Sequence, residues 1–301
     1  MRFYMDYNAS APINSKALEL MMEVHKYIGN PSSIHTSGRK VRTFLEDTRE
    51  KIGIILDNNS QNIIFTSGAT EANALAFKLS HKPSVIMSAI EHPSVLNQSK
   101  GADLIKVLEN GIICLKDLEK ILQKQKDVDK LVSVMAVNNE TGIIQPLEKV
   151  SSICKKYRAL LHVDAVQAFG RIPITMNKLE IDLLTISSHK IGGPKGAGCL
   201  LYSDRVKNKL IPLIKGGGQE KGLRAGTEAV AQIAGFGMAA ELIKEVKFNE
   251  IEFSRDLLER SIKNNIKDVE IIGENSPRVS NTSLISFKGV SAKKLVISLD
   301  L

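Results

Sequence analysis

Short apolar runs alternate with longer amphipathic stretches along most of the chain. NIIFTSG is followed by GATEANALAFKL, SVIMSAIEH by a short polar helix, KLVSVMAVNNE by PLEKVSSICKKY, ALLHVDAVQ by a connector, and DLLTISSHK by KGAGCLLY. Buried runs of about four to eight residues separated by helices of about ten or more are what βαβ crossovers produce. The pattern therefore predicts an α/β fold: a mainly parallel sheet of the seven-stranded type with helices on both faces. KGAGCLLY follows DLLTISSHK after a tight Gly/Pro connector, too short for a crossover helix, and is expected to run antiparallel. From GTEAVAQIAGFGMAAELIKEV onward the pattern is helical, with a second helix beginning near Ile251. GENSPRVSNTS then leads into the strand-like SLISFKG. The expected division is a large domain over residues 15–240 and an incomplete smaller α+β domain made of 1–14 and 241–301.

Composition narrows the class without changing the fold. The 301 residues are 43% hydrophobic and 25% charged with no low-complexity tract, enough for a large core. The N-terminal MRFYMDYN has no extended apolar core of a signal peptide. No later stretch approaches the roughly 18 apolar residues of a membrane span. The expectation is a cytoplasmic protein that does not engage membranes. The net charge of +8 is spread over stretches such as KDLEKILQKQKDVDK, where acids interleave with bases. That is a solvated face, and no nucleic-acid signature accompanies it. A basic balance of this kind favours an anionic small molecule. Cys114, Cys154 and Cys199 lack metal-ligand spacing and read as reduced thiols; no metal-binding cluster is expected.

The chemistry collects where the strands end. In a parallel sheet all strands present their C-terminal ends at one edge, and ligands bind there. Those ends carry Thr66-Ser67-Gly68-Ala69-Thr70, Glu91-His92, Asn138-Asn139-Glu140, Asp164 with Gln167, and Ser187-Ser188-His189-Lys190. Each has a plain alternative. SGAT can be an ordinary helix cap or a phosphate cradle at a helix N-terminus. His92 can be a core or loop histidine or can stack on a flat ring. Lys190 alone can be a solvated loop residue. Asp164 follows Leu-Leu-His-Val and is expected to be partly buried, where an unpaired carboxylate costs several kcal/mol and a protonated ring nitrogen would stabilise it. Together, a phosphate cradle, a buried Asp, a stacking His and a reactive Lys are the requirements of pyridoxal 5'-phosphate. The glycines of GGPKGAG lie between strands and do not form a dinucleotide fingerprint.

The motifs MDYNASAP, GNPSSIH, FTSGATEANALA, EHPSV, VNNETGIIQP, HVDAVQAFG, SSHKIGGPKGAG and GGGQEKGLRAGT resemble those of the cysteine desulfurases, pyridoxal-phosphate enzymes of the class-V aminotransferase type. The resemblance runs from MDYNASAP to the last residue. It implies the large domain of fold type I, a homodimer, and removal of sulfur from L-cysteine to give L-alanine and an enzyme-bound persulfide for iron–sulfur cluster assembly. A sulfur acceptor or iron–sulfur scaffold protein would be the partner. It further implies that Lys190 holds the cofactor covalently and removes the substrate Cα proton. Asp164 pairs with the pyridinium nitrogen, Gln167 bonds the phenolic oxygen, and His92 stacks on the ring and assists proton transfer. Ala69, Thr70, Ser187 and His189 hold the phosphate, Thr227 reaches the phosphate of the neighbouring subunit, and Asn139 lies near substrate and cofactor oxygen. RAGT stands where RSGT is commoner and leaves Arg224 and Thr227 in place.

One part of the family pattern is not matched. Its nucleophilic cysteine lies in an SSGSAC-like loop shortly after a segment resembling KKLVISLDL, whereas the sequence here ends at Leu301. Neither that cysteine nor the later arginine for the substrate carboxylate is present, and Cys114, Cys154 and Cys199 do not match the nucleophile's position. The expectation is a C-terminally truncated chain that binds the cofactor without completing turnover. The alternatives are an inactive homologue that only binds cofactor or dimerises, or a related selenocysteine lyase or aminotransferase.

Overall fold

A computed structural model describes residues 3–125 and 128–300. In chain order the elements begin with α1 (Ser15–Val24), α2 (Thr36–Leu56), β1 (Ile63–Thr66), α3 (Ala69–Ala76), β2 (Ser84–Ser88), α4 (Pro93–Leu96) and β3 (Asp103–Ile105). They continue with α5 (Leu115–Lys124), β4 (Lys130–Ser133), α6 (Leu147–Lys156), β5 (Leu160–Asp164), β6 (Leu183–Ser187) and β7 (Gly198–Tyr202). The last are α7 (Val230–Leu242), α8 (Phe248–Asn265), β8 (Val269–Ile271), β9 (Ile285–Phe287) and α9 (Ala292–Asp300). Residues 1, 2, 126, 127 and 301 lie outside the description, including the middle of the KDLEKILQKQKDVDK stretch.

Each of the six apolar runs contains a strand. The large sheet has the order β1-β7-β6-β5-β4-β2-β3. Pairings from β6 through β3 are parallel, while β7 runs antiparallel to both β6 and β1, as the tight connector before it requires. Because β7 opposes both neighbours, β1 points the same way as β6, and its C-terminal end joins the common edge. The seventh strand, β3, had no apolar run to announce it. It is a three-residue edge strand in which Ile105 alone is buried, so its sequence has little reason to be hydrophobic. The helix expected near Ile251 starts three residues earlier, at Phe248.

The strand runs are continuously apolar because both sheet faces are covered, and the pleat sends alternate residues to opposite layers. On one side Ile63, Phe65, Leu161, Val163, Leu184, Ile186 and Leu201 pack with Leu45, Ile52 and Leu56 of α2 and Ile233 and Phe236 of α7. On the other, Ile64, Leu160, Leu183, Leu200 and Tyr202 pack with Ala72, Leu75 and Ala76 of α3. His162 is a polar exception in β5. It is fully buried, but Ser133 Oγ on β4 lies 2.8 Å from Nδ1 and Thr185 Oγ1 on β6 lies 3.2 Å from Nε2. Burial drives its pKa down to about 3, so the ring is neutral and acts as a cross-strand tie.

A second buried tie reaches outside the sheet. Arg49 of α2 donates to Glu220 Oε1 at 2.7 Å and Oε2 at 3.0 Å and to Ile63 O at 2.5 Å, while Phe65 N donates to Glu220 Oε2 at 2.8 Å. The guanidinium also lies 4.7 Å over the Phe65 ring. This pair pins the GGGQEKGLRAGT segment to β1, and both Glu220 and Lys221 adopt left-handed backbone angles. Removing Glu220 leaves the buried Arg49 charge only the half-exposed Glu46, 3.2 Å from Nε, to answer it. Glu220→Ala should therefore destabilise the protein by about 3–5 kcal/mol in urea unfolding, and a loss below about 1 kcal/mol, in the range of an exposed pair, would show that the tie is not load-carrying.

Candidate active site

The loop between β1 and α3 builds the first wall. Gly68 has φ 154°, a region that L side chains rarely adopt. A Cβ on Gly198 at the start of β7 would stand 2.8 Å from Gly68 Cα, so two glycines let this loop press onto the sheet. The first-turn N–H groups of α3, those of Ala69, Thr70 and Glu71, have no acceptor within the helix and bring the positive end of its dipole with them. Ser67 N donates to Glu71 Oε2 at 2.7 Å, and Arg224 Nε donates to Glu71 Oε1 at 2.9 Å. Burial pushes the Glu71 carboxyl up, but the Arg224 and Ser67 donors outweigh it and hold it below its ordinary value.

The strand ends enclose a cavity of about 740 Å³ with this helix start at one side. Ala69, Thr70, His92, Asn139, Asp164, Gln167, Ser187, His189 and Lys190 all line it. Thr227 does not, and its side chain is exposed. Lys190 follows β6 and donates from Nζ to Ala9 O at 2.9 Å and also to Asn8 O. Burial, reinforced by the Arg171 charge, holds its pKa below the ordinary lysine value, which raises the fraction of free amine available as a nucleophile or base. Asp164 ends β5. Its Oδ1 accepts from Val166 N at 3.0 Å and its Oδ2 from Asn73 Nδ2 at 2.8 Å. Burial raises its pKa, opposed by these donors and by His92 and Lys190.

The remaining positions divide into held and unheld groups. Gln167 Nε2 donates to Asn8 O at 3.0 Å, and its Oε1 accepts from Arg171, whose pKa burial lowers to about 10. Asn139 Nδ2 is turned to Glu140 Oε1 at 2.7 Å. Burial, then the Lys190 and Lys195 charges, pull the His189 pKa down to about 4, so this ring is neutral. Ser187 Oγ is buried without a partner although it lines the cavity. An unsatisfied buried hydroxyl calls for an explanation. An anionic group seated between it and the α3 N–H groups would satisfy both, while a cationic ring nitrogen would answer the Asp164 carboxylate. The donor set thus fits a molecule with a phosphate at one end and a protonated ring at the other. Pyridoxal 5'-phosphate has both.

The whole chain has relatives of this chemistry. Residues 3–301 match the aminotransferase class-V family. The chain belongs to that family. It is 41% identical over 315 residues to a protein named cysteine desulfurase IscS from Dictyoglomus turgidum, covering 99% of this chain and 79% of the relative. It is 39% identical to a mitochondrial cysteine desulfurase of Candida maltosa, covering 98% of this chain and 64% of that protein. Among solved structures, a NifS-like protein from Rickettsia africae superposes with a TM-score of 0.93 at 37% identity, covering 99% of this chain and 84% of that one. The cofactor of this class-V aminotransferase is pyridoxal phosphate.

Two features of the site had no sequence signal strong enough to single them out. Asn73 is fully buried on α3, an amide among alanines and leucine, and holds Asp164 from behind. Ser94 Oγ connects it to His92. The clue available was one polar residue on an otherwise apolar helix face. The cysteines, in contrast, stay away from the cavity: Cys154 and Cys199 are buried and Cys114 is half-buried at the start of α5. Burial pushes the Cys154 thiol up to about 12 and Cys199 well above its ordinary value.

Glu91, beside His92, gives the site a pH signature. Its Oε1 accepts from Met135 N at 2.6 Å and Ser88 Oγ at 2.5 Å inside the protein. Burial, with the Asp164 charge adding to it, raises its pKa from 4.5 to about 8. The folded state therefore keeps a proton that the unfolded chain gives up. The stabilisation is complete below the unfolded value and is lost as pH rises from about 4.5 to about 8. Urea unfolding should show wild type losing on the order of a few kcal/mol across this window relative to Glu91→Gln, and parallel pH profiles of the two proteins would refute the assignment.

Proposed function

We propose that this class-V aminotransferase is a cysteine desulfurase acting on L-cysteine, with Lys190 as its proton-transfer base. The observation that carries the reading is the meeting of the Lys190 amine and the Asp164 carboxylate in one cavity with the free end of α3. The names of the relatives, cysteine desulfurases at 41% and 39% identity, supply the substrate. A further relative, 31% identical, carries the description of a complex with cysteine.

When bound, pyridoxal phosphate supplies a conjugated ring that takes up negative charge developing at the substrate Cα. Ala69, Thr70, Ser187 and His189 would hold its phosphate. His189 contributes as a neutral ring, since burial keeps it uncharged. Asp164 would hold the ring nitrogen in its protonated form, a task for which it must stay ionised despite burial; Asn73 and Val166 N favour that state. Gln167 would face the phenolic oxygen, and His92 the ring face. Lys190, with its depressed pKa, is suited to accept the Cα proton at Nζ after giving up the contacts to Asn8 and Ala9. Asn139 would orient the substrate after turning from Glu140. The thiol that takes the sulfur is not among the cavity residues. A nucleophilic cysteine thiolate brought to Lys190 and Asn139 would attack the substrate sulfur, forming the S–S bond of a persulfide as the substrate Cβ–S bond breaks and its electron pair stays on the carbon that leaves as alanine. The persulfide would pass its outer sulfur to an acceptor such as an iron–sulfur scaffold.

Thr227 is exposed on the loop that Arg49 and Glu220 anchor, which suits contact with the cofactor phosphate of a second copy, so we assign a homodimer. Among the described residues no helix is long and apolar enough to cross a membrane; the assignment to the cytoplasm rests instead on likeness to the bacterial relatives named cysteine desulfurase IscS. Two measurements test the enzyme reading. Borohydride reduction after incubation with pyridoxal phosphate should fix the cofactor on the Lys190 peptide, read by mass spectrometry. Exchange of the L-cysteine Cα proton with solvent deuterium should fall about 10²–10⁴-fold in Lys190→Ala, the span attributed to a positioned base. Cofactor found on another lysine, or undiminished exchange in the variant, would remove the assignment.

A further inference from the structure

Asn73 does not line the cavity, yet it touches two groups that lead into it. Its Nδ2 amino group donates to Asp164 Oδ2 at 2.8 Å and to Ser94 Oγ at 2.9 Å. An amide nitrogen has two hydrogens, and both are used. Ser94 Oγ, having accepted one of them, has its own hydrogen left, and His92 Nδ1 lies 2.7 Å away. Ser94 N donates to the same nitrogen at 3.1 Å. A ring nitrogen that receives two donors must present a lone pair, so the neutral His92 ring carries its proton on Nε2.

The direction of every bond in this chain follows from its far end. Both Asp164 oxygens accept, Oδ1 from Val166 N and Oδ2 from Asn73, so Asn73 turns its amino group, not its oxygen, toward Asp164. Turned that way, it also donates to Ser94, and Ser94 must donate to His92. The cost of the arrangement is visible: Asn73 Oδ1 is buried without any partner, a destabilising state that an apolar side chain at this position would avoid. A purely packing role does not call for an amide here. The need for two donors from one nitrogen does.

We propose that Asn73 is a positioning residue that couples Asp164 to His92 through Ser94, holding His92, together with the Ser94 N donor, with its proton on Nε2 and leaving that N–H as the free donor of the ring. The use His92 makes of this donor rests on the enzyme reading above, whereas the tautomer itself does not. One amide thereby sets two groups that stand on different segments, Asp164 at the end of β5 and His92 ahead of α4.

The test is ¹⁵N NMR of histidine-labelled, cofactor-free protein at about pH 8, above the ordinary imidazole range, with His92 identified by the signals lost in His92→Gln. In wild type the Nδ1 resonance should fall in the unprotonated range and Nε2 in the protonated range. In Ser94→Ala and Asn73→Leu the Ser94 N donor remains but the oriented hydroxyl donor is lost, so the two resonances should move part of the way toward each other as the Nδ1–H form becomes populated. Asn73→Leu keeps the γ-branched shape and Asn73→Ala removes it; either, when circular dichroism shows it folded, is decisive. A wild-type proton on Nδ1, or an unchanged His92 spectrum in Ser94→Ala and in the folded Asn73 variant, overturns the proposal. Adding pyridoxal phosphate to wild type separates the two readings. Failure to bind it removes the enzyme assignment and leaves the tautomer result standing, while binding with an invariant His92 spectrum removes the positioning role alone.

Discussion

A carboxylate buried at the end of a central strand is the constraint around which the rest of this protein is arranged. Asp164 lies at the C-terminal end of β5, the middle strand of the seven-stranded sheet, and burial disfavours its charge. The fold answers with a backbone donor from Val166 and a side-chain donor from Asn73. Both depend on the sheet. Val166 N reaches back because the chain turns as soon as β5 ends, and Asn73 reaches across because α3 packs on the face below. Lys190, one strand away on the end of β6, then meets this negative charge in a common cavity. The neighbouring Glu91 cannot ionise as well at neutral pH, since the Asp164 charge adds to its own burial.

Much of this was written in the sequence, for a physical reason that also sets its limit. β1, β5, β6 and β7 are buried on both faces, so their sequences are continuously apolar and recognisable. A polar residue at the end of such a run stands out, which is how Asp164, His92, Asn139, Ser187 and Lys190 could be read together. β3 lies at an edge with two of its three residues exposed and left no pattern. The antiparallel placement of β7 was legible because a connector of a few residues leaves no room for a crossover. Asn73 and Ser94 were not legible as a pair, because 21 residues separate them and only the packing of α3 against α4 makes them neighbours. Arg49 and Glu220, 171 residues apart, belong to the same class: local patterning carries no information about a partner that distant.

Thr227 shows the converse case. The resemblance assigns it to the phosphate, and the motif around it is intact, but within one chain it is exposed and outside the cavity. The proposed task of Thr227 in a neighbouring subunit requires that exposure. The buried Arg49–Glu220 pair then has a use beyond stability. It fixes a glycine-rich segment, two of whose residues hold left-handed angles without being glycine, so that Arg224 can reach Glu71 at the start of α3 while Thr227 stays outward. In the homodimer proposed above, a flexible loop would lose conformational freedom on each encounter with a second copy, and one tied at Glu220 has lost it already on folding.

The N-terminal segment completes the site from outside the sheet. Asn8 O receives donors from both Lys190 and Gln167, and Asn8 Nδ2 donates to Asn139 O at 3.0 Å and Thr282 Oγ1 at 3.0 Å. One short stretch thereby connects the lysine, the end of β4 and the segment leading into β9. A lysine tethered by neutral carbonyls is stabilised less than one tethered by a carboxylate, and burial here weakens its charge further. Such an amine can exchange its carbonyl contacts for a covalent bond without separating a strong ion pair first. The same three-way connection means that drawing Lys190 into the cavity changes the hydrogen bonding of a segment that also holds residues near the C-terminal strands. Position of the lysine and packing of the N-terminal segment against the residues before β9 are therefore coupled through the carbonyl and the side-chain amide of Asn8.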